Sequence, residues 1–95
     1  MHVLVEFHNL QNIQKIIGNS LLVDIKGNSF SDLFFHMMKK YDSVVQDELF
    51  DFDGHIHIGI QIVMNKKYFI KRKDIGNIIL HEGDHVLFML PASGG

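Results

Sequence analysis

The chain has 95 residues, with nine Lys and Arg against eleven Asp and Glu, and it contains no cysteine. That length suits one domain with one modest core, and the lack of cysteine excludes disulfides, iron–sulfur ligation, thiolate metal sites and a cysteine nucleophile. The net charge of −2 gives no global field for attracting nucleic acid, and no apolar run approaches the ~20 residues of a membrane span. We therefore expect a cytoplasmic protein that binds neither nucleic acid nor membrane.

The first 26 residues predict a β-hairpin. Residues 2–8 alternate between two sets of side chains, with Val3, Val5 and Phe7 in one set, as in a half-buried strand. Residues 21–26 alternate in the same way and predict a second strand that pairs with the first. The segment between them has loose helical spacing but is short and rich in Asn and Gln, so we interpret it as a connector.

The next segment, NSFSDLFFHMMKKYD, predicts the main helix. Ser29 and Asp32 resemble a capping box, in which the Ser side chain accepts from a free backbone N–H and the carboxylate favours the positive end of the helix. The predicted helix covers residues 30–41, and the acidic segment that follows is a candidate extension. Its buried face is formed by apolar residues at helical spacing, namely Phe30, Leu33, Phe34, Met37 and Tyr41.

Residues 55–65, HIHIGIQIVMN, predict a long strand, because isoleucine alternates with other residues. His55 and His57 share the other face at i, i+2, a spacing that can supply two zinc ligands. Two histidines are weak evidence for such a site, so we expect them to face solvent and expect no bound metal. The apolar face predicted for the core comprises Ile56, Ile58, Ile60, Ile62 and Met64.

The remaining elements complete the sheet. A short strand near residues 68–70 lies in NKKYFIKRKD, which holds five of the nine Lys and Arg and which we interpret as a solvated basic hairpin. Residues 74–80 predict an irregular or 3₁₀ segment. Residues 85–90 predict the last strand, and Pro91 ends it because proline cannot donate to a strand ladder.

The order β-β-α-β-β-β predicts an α+β fold of the ubiquitin-like β-grasp type. A single main helix can cover only one face of a mixed four- or five-stranded sheet. We assign residues 1–90 to this domain and residues 91–95 to an extended tail. The same alternation that buries Val3 and Phe88 directs four apolar residues to the opposite face, where they form a candidate partner-binding patch: Leu4, Leu22, Leu87 and Met89.

The last residues, LPASGG, predict a thin and flexible arm after the sheet. Ala92 and Ser93 are small, and Gly94 and Gly95 have no side chain, so the arm can thread a narrow tunnel in another protein. In such a tunnel the carboxylate of Gly95 can be approached by a nucleotide and a nucleophile, whereas a Cβ would obstruct the passage. We therefore interpret the Gly-Gly pair as functional.

The segment HEGDHVLFMLPASGG resembles the MoaD/ThiS family of ubiquitin-like sulfur carriers, and within it the small subunit of molybdopterin synthase. It is similar to the family's acidic Gly-Asp turn, hydrophobic last strand and Pro–small–small–Gly–Gly end. IVMNKKYF resembles the family's hairpin, and VLVEF resembles its first strand. The resemblance covers nearly the whole chain, with its specific motifs in the last ~15 residues.

The resemblance implies a carrier that is not an enzyme by itself and that binds no cofactor. An adenylyltransferase of the ubiquitin-activating type (MoeB/ThiF type) would use ATP to adenylate Gly95, and sulfur transfer would convert its carboxylate to a thiocarboxylate. The large subunit of molybdopterin synthase would then receive the sulfur for the cyclic pyranopterin precursor of the molybdenum or tungsten cofactor. Gly94 would supply clearance, the arm would be formed by Pro91, Ala92 and Ser93, and Leu87 and Met89 would help to dock partners.

Three alternatives remain open from the sequence. A ubiquitin-like modifier would share the activation step but would end in an isopeptide bond between Gly95 and target lysines. A carrier for another pathway, such as thiamine thiazole synthesis, would differ only in the sulfur acceptor. A plain interaction or metal-binding β-grasp domain would have an inert tail.

Overall fold

The computed structural model describes residues 1–91 and contains one mixed sheet, two α-helices and one 3₁₀ helix. The strands are, in chain order, His2–His8 (β1), Ser20–Asp24 (β2), Gln61–Met64 (β3), Tyr68–Ile70 (β4) and His85–Met89 (β5). The helices are Gln11–Ile16 (α1), Phe30–Leu49 (α2) and the 3₁₀ helix Arg72–Asn77. Within this described part, no helix is long and apolar enough to cross a membrane.

The five strands lie in the order β2-β1-β5-β3-β4. β1 and β5 run parallel at the centre, whereas the outer pairs β1–β2, β3–β5 and β3–β4 are antiparallel. The last strand in the chain therefore lies in the middle of the sheet. This arrangement confirms the predicted β-grasp fold and settles the number of strands at five.

The core lies between α2 and one face of the sheet. Phe88 of β5 is at its centre, with its side chain fully buried and its ring centroid 6.3 Å from that of Phe7 and 5.8 Å from that of Phe34 on α2. Alternation buries one residue in two along the central strands, as the sequence predicts. The sheet contributes to this core Val3, Val5, Phe7, Val23, Ile62, Met64, Val86 and Phe88.

The N-terminus of α2 is closed by the predicted capping box. The Ser29 hydroxyl accepts a hydrogen bond from the backbone N–H of Asp32 at 3.0 Å, and the Asp32 carboxylate accepts from the Ser29 hydroxyl and from the backbone N–H groups of Asn28 and Ser29. These bonds, the Ser29 hydroxyl first, hold the pKa of Asp32 below its ordinary value. Gly27 has φ +92, and a Cβ there would overlap the same carboxylate.

The lowered pKa of Asp32 makes a pH-dependent contribution to stability. A carboxylate with a lowered folded-state pKa stabilises the protein above its unfolded pKa of about 3.9, and the contribution is lost as the pH falls through the folded-state value. We expect Asp32→Asn to lower the unfolding midpoint in urea at pH 7, with the gap to the wild type closing below about pH 4. A gap of equal size at pH 7 and at acid pH would contradict this role of the charge.

α2 extends beyond the predicted end at residue 41 and includes the acidic segment as far as Leu49. Tyr41 has non-helical dihedral angles, φ −128 and ψ 41, which kink the helix there. Beyond the kink, Val45 and Leu49 are fully buried. Their burial stabilises the extension, since most helical stability in proteins comes from the packing of an apolar face.

The connector predicted between β1 and β2 is wrong, because residues 11–16 form α1. The Glu48 carboxylate of α2 accepts hydrogen bonds from the backbone N–H groups of Asn12 and Ile13, at 3.2 and 3.1 Å, and so caps the start of α1. Leu10 and Ile13 are buried against the core. This Asn- and Gln-rich segment has only a weak local preference for a helix. It forms one because α2, which is distant in the chain, supplies both a cap and a packing surface.

The long strand predicted over residues 55–65 is also wrong in its first half, since β3 covers only residues 61–64. Ile56 and Ile60 are buried as predicted, but Ile58 is 78 % exposed. The chain turns there, because the backbone N–H of Ile60 donates to the carbonyl of His57 at 2.9 Å and the backbone N–H of Gly59 donates to Nδ1 of His57 at 3.1 Å. Periodicity did not reveal these local bonds.

Candidate functional site

The predicted tail leaves the domain at the end of β5, and hydrogen bonds hold the last residue before Pro91. The backbone N–H of Leu90 donates to the carbonyl of His8 at 3.0 Å, and the Asn9 side-chain amide donates to the carbonyl of Leu90 at 3.0 Å. Both polar groups of the Leu90 backbone are therefore bonded to the end of β1. We call this pair of bonds the exit clamp. The predicted tail residues Ala92, Ser93, Gly94 and Gly95 lie outside the described residues.

Two residues that the sequence analysis missed shape the exit clamp. Asn9 has φ +58, a left-handed conformation that Asn adopts more readily than most other residues, and this turn directs its amide toward Leu90. Gly59 lies against the Leu90 side chain, and a Cβ at Gly59 would be 3.1 Å from Leu90 Cδ1. The position of Asn9 could have been noticed in the sequence, because Asn tolerates positive φ and follows directly after a predicted strand. Gly59 gave no such signal, because the contact depends on the tertiary fold.

Two variants of Asn9 separate the backbone turn from the hydrogen bond. Asn9→Gly removes the amide and keeps the left-handed turn, so we expect a loss of about 1 kcal/mol. Asn9→Ala also removes the amide and puts in the left-handed region a residue that adopts it less readily than Asn or Gly, so the loss should be about 2 kcal/mol. Urea unfolding of both proteins measures the difference, and equal losses for the two variants would contradict the strained turn.

The four predicted partner-binding residues lie together on the face of the sheet opposite α2. Leu4 and Leu22 are direct cross-strand partners and are 37 % and 63 % exposed. Leu87 and Met89 are partly buried on the neighbouring strand β5, where Leu87 pairs with Val63 of β3. We call this surface the open sheet face. The three strands that carry these residues, β2, β1 and β5, are neighbours in the sheet.

A polar pair divides the apolar part of the open sheet face. The Nε2 atom of His85 lies 2.8 Å from Oε1 of Glu6, and the side chains are 13 % and 43 % exposed. Nδ1 of His85 is buried and has no hydrogen-bond partner among the described residues. The sequence placed both residues on this face but gave no sign of the pairing, which depends on the parallel register of β1 and β5. The surface thus offers apolar contacts around one polar contact.

The loop after α2 brings His55 of the zinc hypothesis together with two carboxylates that the sequence analysis did not select. Ligand atoms of Asp51, Asp53 and His55 lie within 4.8 Å of one another. The Asp51 carboxylate already accepts from the backbone N–H groups of His55 and Asp53, at 3.0 and 2.9 Å, and lies 4.0 Å from Arg72. These contacts, the His55 bond first, lower the pKa of Asp51. The carboxylate therefore serves to close the turn, and the two histidines of the zinc hypothesis do not share a strand face.

Solved structures of small archaeal modifier proteins are similar to this chain. The crystal structure of SAMP1 from Haloferax volcanii superposes with a TM-score of 0.78 over all of both chains at 18 % identity. The solution structure of SAMP1 from Methanosarcina acetivorans gives 0.70 at 20 % identity, covering 99 % of this chain and 96 % of that one. The Haloferax volcanii HVO 2177 protein gives 0.68 at 20 % identity, covering 100 % and 87 %.

No protein-family model matches the chain, and no curated protein matches it significantly. The similarity therefore lies in the architecture and barely in the sequence. Over essentially its full length, this chain shares the ubiquitin-like β-grasp fold of the archaeal modifier structures.

Proposed function

We propose that this chain is a ubiquitin-like sulfur carrier, similar to the small subunit of molybdopterin synthase, that carries sulfur as a thiocarboxylate on Gly95. The observation that supports it is the exit clamp. Its two hydrogen bonds fix Leu90 next to Met89 of the open sheet face, so that the Pro-Ala-Ser-Gly-Gly segment begins from a defined point beside exposed apolar residues. A partner that binds this face therefore finds the tail at a set distance.

The loading chemistry is supplied by a partner, because a carboxylate is a poor electrophile until one oxygen becomes a good leaving group. In an adenylyltransferase of the ubiquitin-activating type, a Gly95 carboxylate oxygen attacks the α-phosphorus of ATP and pyrophosphate leaves. Hydrosulfide then attacks the acyl carbon and displaces AMP, which leaves the thiocarboxylate. This chain contributes reach and clearance, since Gly94 and Gly95 carry no Cβ that would block a narrow passage.

The thiocarboxylate then enters the large synthase subunit. Its sulfur bonds to a carbon of the cyclic pyranopterin precursor of the molybdenum or tungsten cofactor and displaces an oxygen substituent there. Water then attacks the acyl carbon of Gly95, which leaves the thiol on the precursor and restores the carboxylate. The open sheet face supplies the docking contacts through Leu4, Leu22, Leu87 and Met89, with the Glu6–His85 pair as a polar contact among them. ATP and the activating partner place this cycle in the cytoplasm.

Intact mass spectrometry tests the proposal. The full chain is incubated with an adenylyltransferase of the ubiquitin-activating type, ATP and sodium sulfide. We expect a gain equal to the replacement of one oxygen by sulfur, located on Gly95 by fragmentation and absent without ATP. An unchanged mass with a partner enzyme that loads its own carrier in the same assay would overturn the proposal.

A protein modifier is the second candidate, favoured by the fold shared with proteins that are named as archaeal modifiers. It uses the same adenylate but passes the acyl group to the amino group of a target lysine. An experiment in cell extract distinguishes the two candidate functions. Lysine conjugates that end in the Gly-Gly remnant support the modifier, and transfer of labelled sulfur to a pterin supports the carrier.

A further inference from the structure

A groove of about 620 Å³ opens at the edge of the sheet, between β4 and the segment that follows the 3₁₀ helix. None of the residues that form the open sheet face or the exit clamp lines it, so the proposed function makes no use of it. Three of its lining residues, Tyr68, Phe69 and Ile79, are 62 %, 70 % and 60 % exposed. Single exposed apolar residues are ordinary, whereas several that line one groove are typical of an interaction surface.

The backbone of β4 is open on the side away from β3. β4 is the last strand in the sheet order and pairs only with β3. An edge strand directs the N–H and C=O groups of alternate residues away from the sheet, where they can pair with another extended segment. Within the described part of the chain, no other backbone group bonds to the backbone of residues 68–70. The strand that lines the groove therefore offers unpaired backbone groups beside its apolar side chains.

The charge around β4 is opposite to that of the whole chain. Residues 65–74 hold five Lys and Arg and one Asp, although the chain has a net charge of −2. Lys67 directly precedes β4 and Lys71 directly follows it, and both are exposed and form no ion pair with any residue that the structure describes. Asp84 is the carboxylate among the described lining residues, but it is only 14 % exposed and already accepts two hydrogen bonds.

The lysines restrict which strand can pair with this edge. Lysines on an edge strand protect it from pairing with neutral or basic strands. A second copy of β4 would bring like charges opposite one another, which is destabilising. An acidic strand is instead attracted, because its carboxylates would face Lys67 and Lys71.

We propose that β4 and its groove bind an extended acidic segment of a partner protein, which joins the sheet as a sixth strand. The segment pairs its backbone with β4, packs apolar side chains against Tyr68 and Ile79, and directs carboxylates at its two ends to Lys67 and Lys71. This inference goes beyond the proposed function, because occupation of the edge requires neither Gly95 nor the open sheet face.

Three capped synthetic peptides test the proposal by amide shift mapping on the isotope-labelled full chain. The probe is Asp-Val-Thr-Val-Glu, whose five residues match the span from Lys67 to Lys71. One control is Lys-Val-Thr-Val-Lys, and the other is the probe with methylated backbone nitrogens on Thr and the following Val, which removes a donor from each edge of the peptide. We expect only the probe to shift amides of residues 64–71 and 77–81, with an affinity that falls as salt rises.

Four results would each overturn the proposal. They are no shift with the probe, shifts confined to the open sheet face, equal binding of the basic or the methylated peptide, and self-association of the chain through β4. Each result is independent of whether Gly95 can be loaded with sulfur.

A charge variant with a matched control sharpens the test. Lys67→Glu reverses a charge next to β4, and we expect it to weaken probe binding about fivefold. Lys39→Glu makes the same change at an exposed residue of α2 outside the groove and should leave probe binding unchanged. Equal effects of the two variants would contradict a contact between the probe and the lysines of this edge.

Discussion

Deletion of Gly95 should abolish sulfur loading and leave the stability of the domain unchanged. The shortened chain still ends in a carboxylate, so the chemical group is kept and only its reach changes. The exit clamp fixes the start of the tail at Leu90, and one residue of extended chain spans about 3.5 Å. A displacement of only about 1 Å can cost a hundredfold in rate, so a shortfall of one residue removes the carboxylate from the reacting nucleotide.

Two measurements on the deletion variant check this expectation. Intact mass after incubation with the adenylyltransferase, ATP and sulfide should show no sulfur gain. The thermal unfolding midpoint should equal that of the wild type, because the sheet and α2 lie within residues 2–89. Full loading of the shortened chain, or a clear fall in its midpoint, would contradict a purely functional tail. Gly94→Val, which keeps the length and adds a branched side chain, should also block loading by obstructing the passage.

Replacement of Phe88 by Ala should cause a large loss of stability. Phe88 is fully buried on the central strand β5 and packs on both Phe7 and Phe34. A cavity from Phe→Ala in a core costs about 3–5 kcal/mol, against a total stability of about 5–15 kcal/mol for a typical domain. We therefore expect the variant to be partly or fully unfolded at 37 °C.

Phe69 provides the matched control for this change. It is the same residue type on the same sheet, but it lies on the edge strand β4 and is 70 % exposed. Phe69→Ala should cost less than about 1 kcal/mol. Urea unfolding of the two variants measures both effects, and losses of similar size would contradict the central position of Phe88 in the core.

Alternation and spacing correctly predicted the strands and the helix start that depend on neighbouring residues or on a regular pattern of apolar residues. β1, β4 and the capped start of α2 lie where the sequence placed them, because a period of two and a Ser-Asp box can be read from neighbouring residues. α1 was missed because its cap comes from Glu48, which is distant in the chain. The strand over residues 55–60 was mispredicted because the chain turns at residues 57–60, where His57 accepts hydrogen bonds from the backbone N–H groups of Gly59 and Ile60.

The features of the candidate site also fall into those that the sequence predicts and those that depend on contacts between distant residues. The apolar residues of the open sheet face follow from alternation, and the Gly-Gly pair is visible in the sequence itself. The exit clamp and the Glu6–His85 pair were not predictable, since each joins the two ends of the chain through the parallel pairing of β1 with β5. A single sequence contains no signal for contacts between residues so far apart.

The central position of β5 also governs when the domain can fold. Asn9 and Leu90 are 81 positions apart, so the pairing that joins β1 to the rest of the sheet is highly non-local. During synthesis the β1–β2 and β3–β4 pairs can form early, but no strand joins β1 to β3 until β5 has emerged and entered between them. Completion of the sheet and the fixing of Leu90 by the exit clamp are therefore one event, so under the proposed function a half-folded chain would not be loaded.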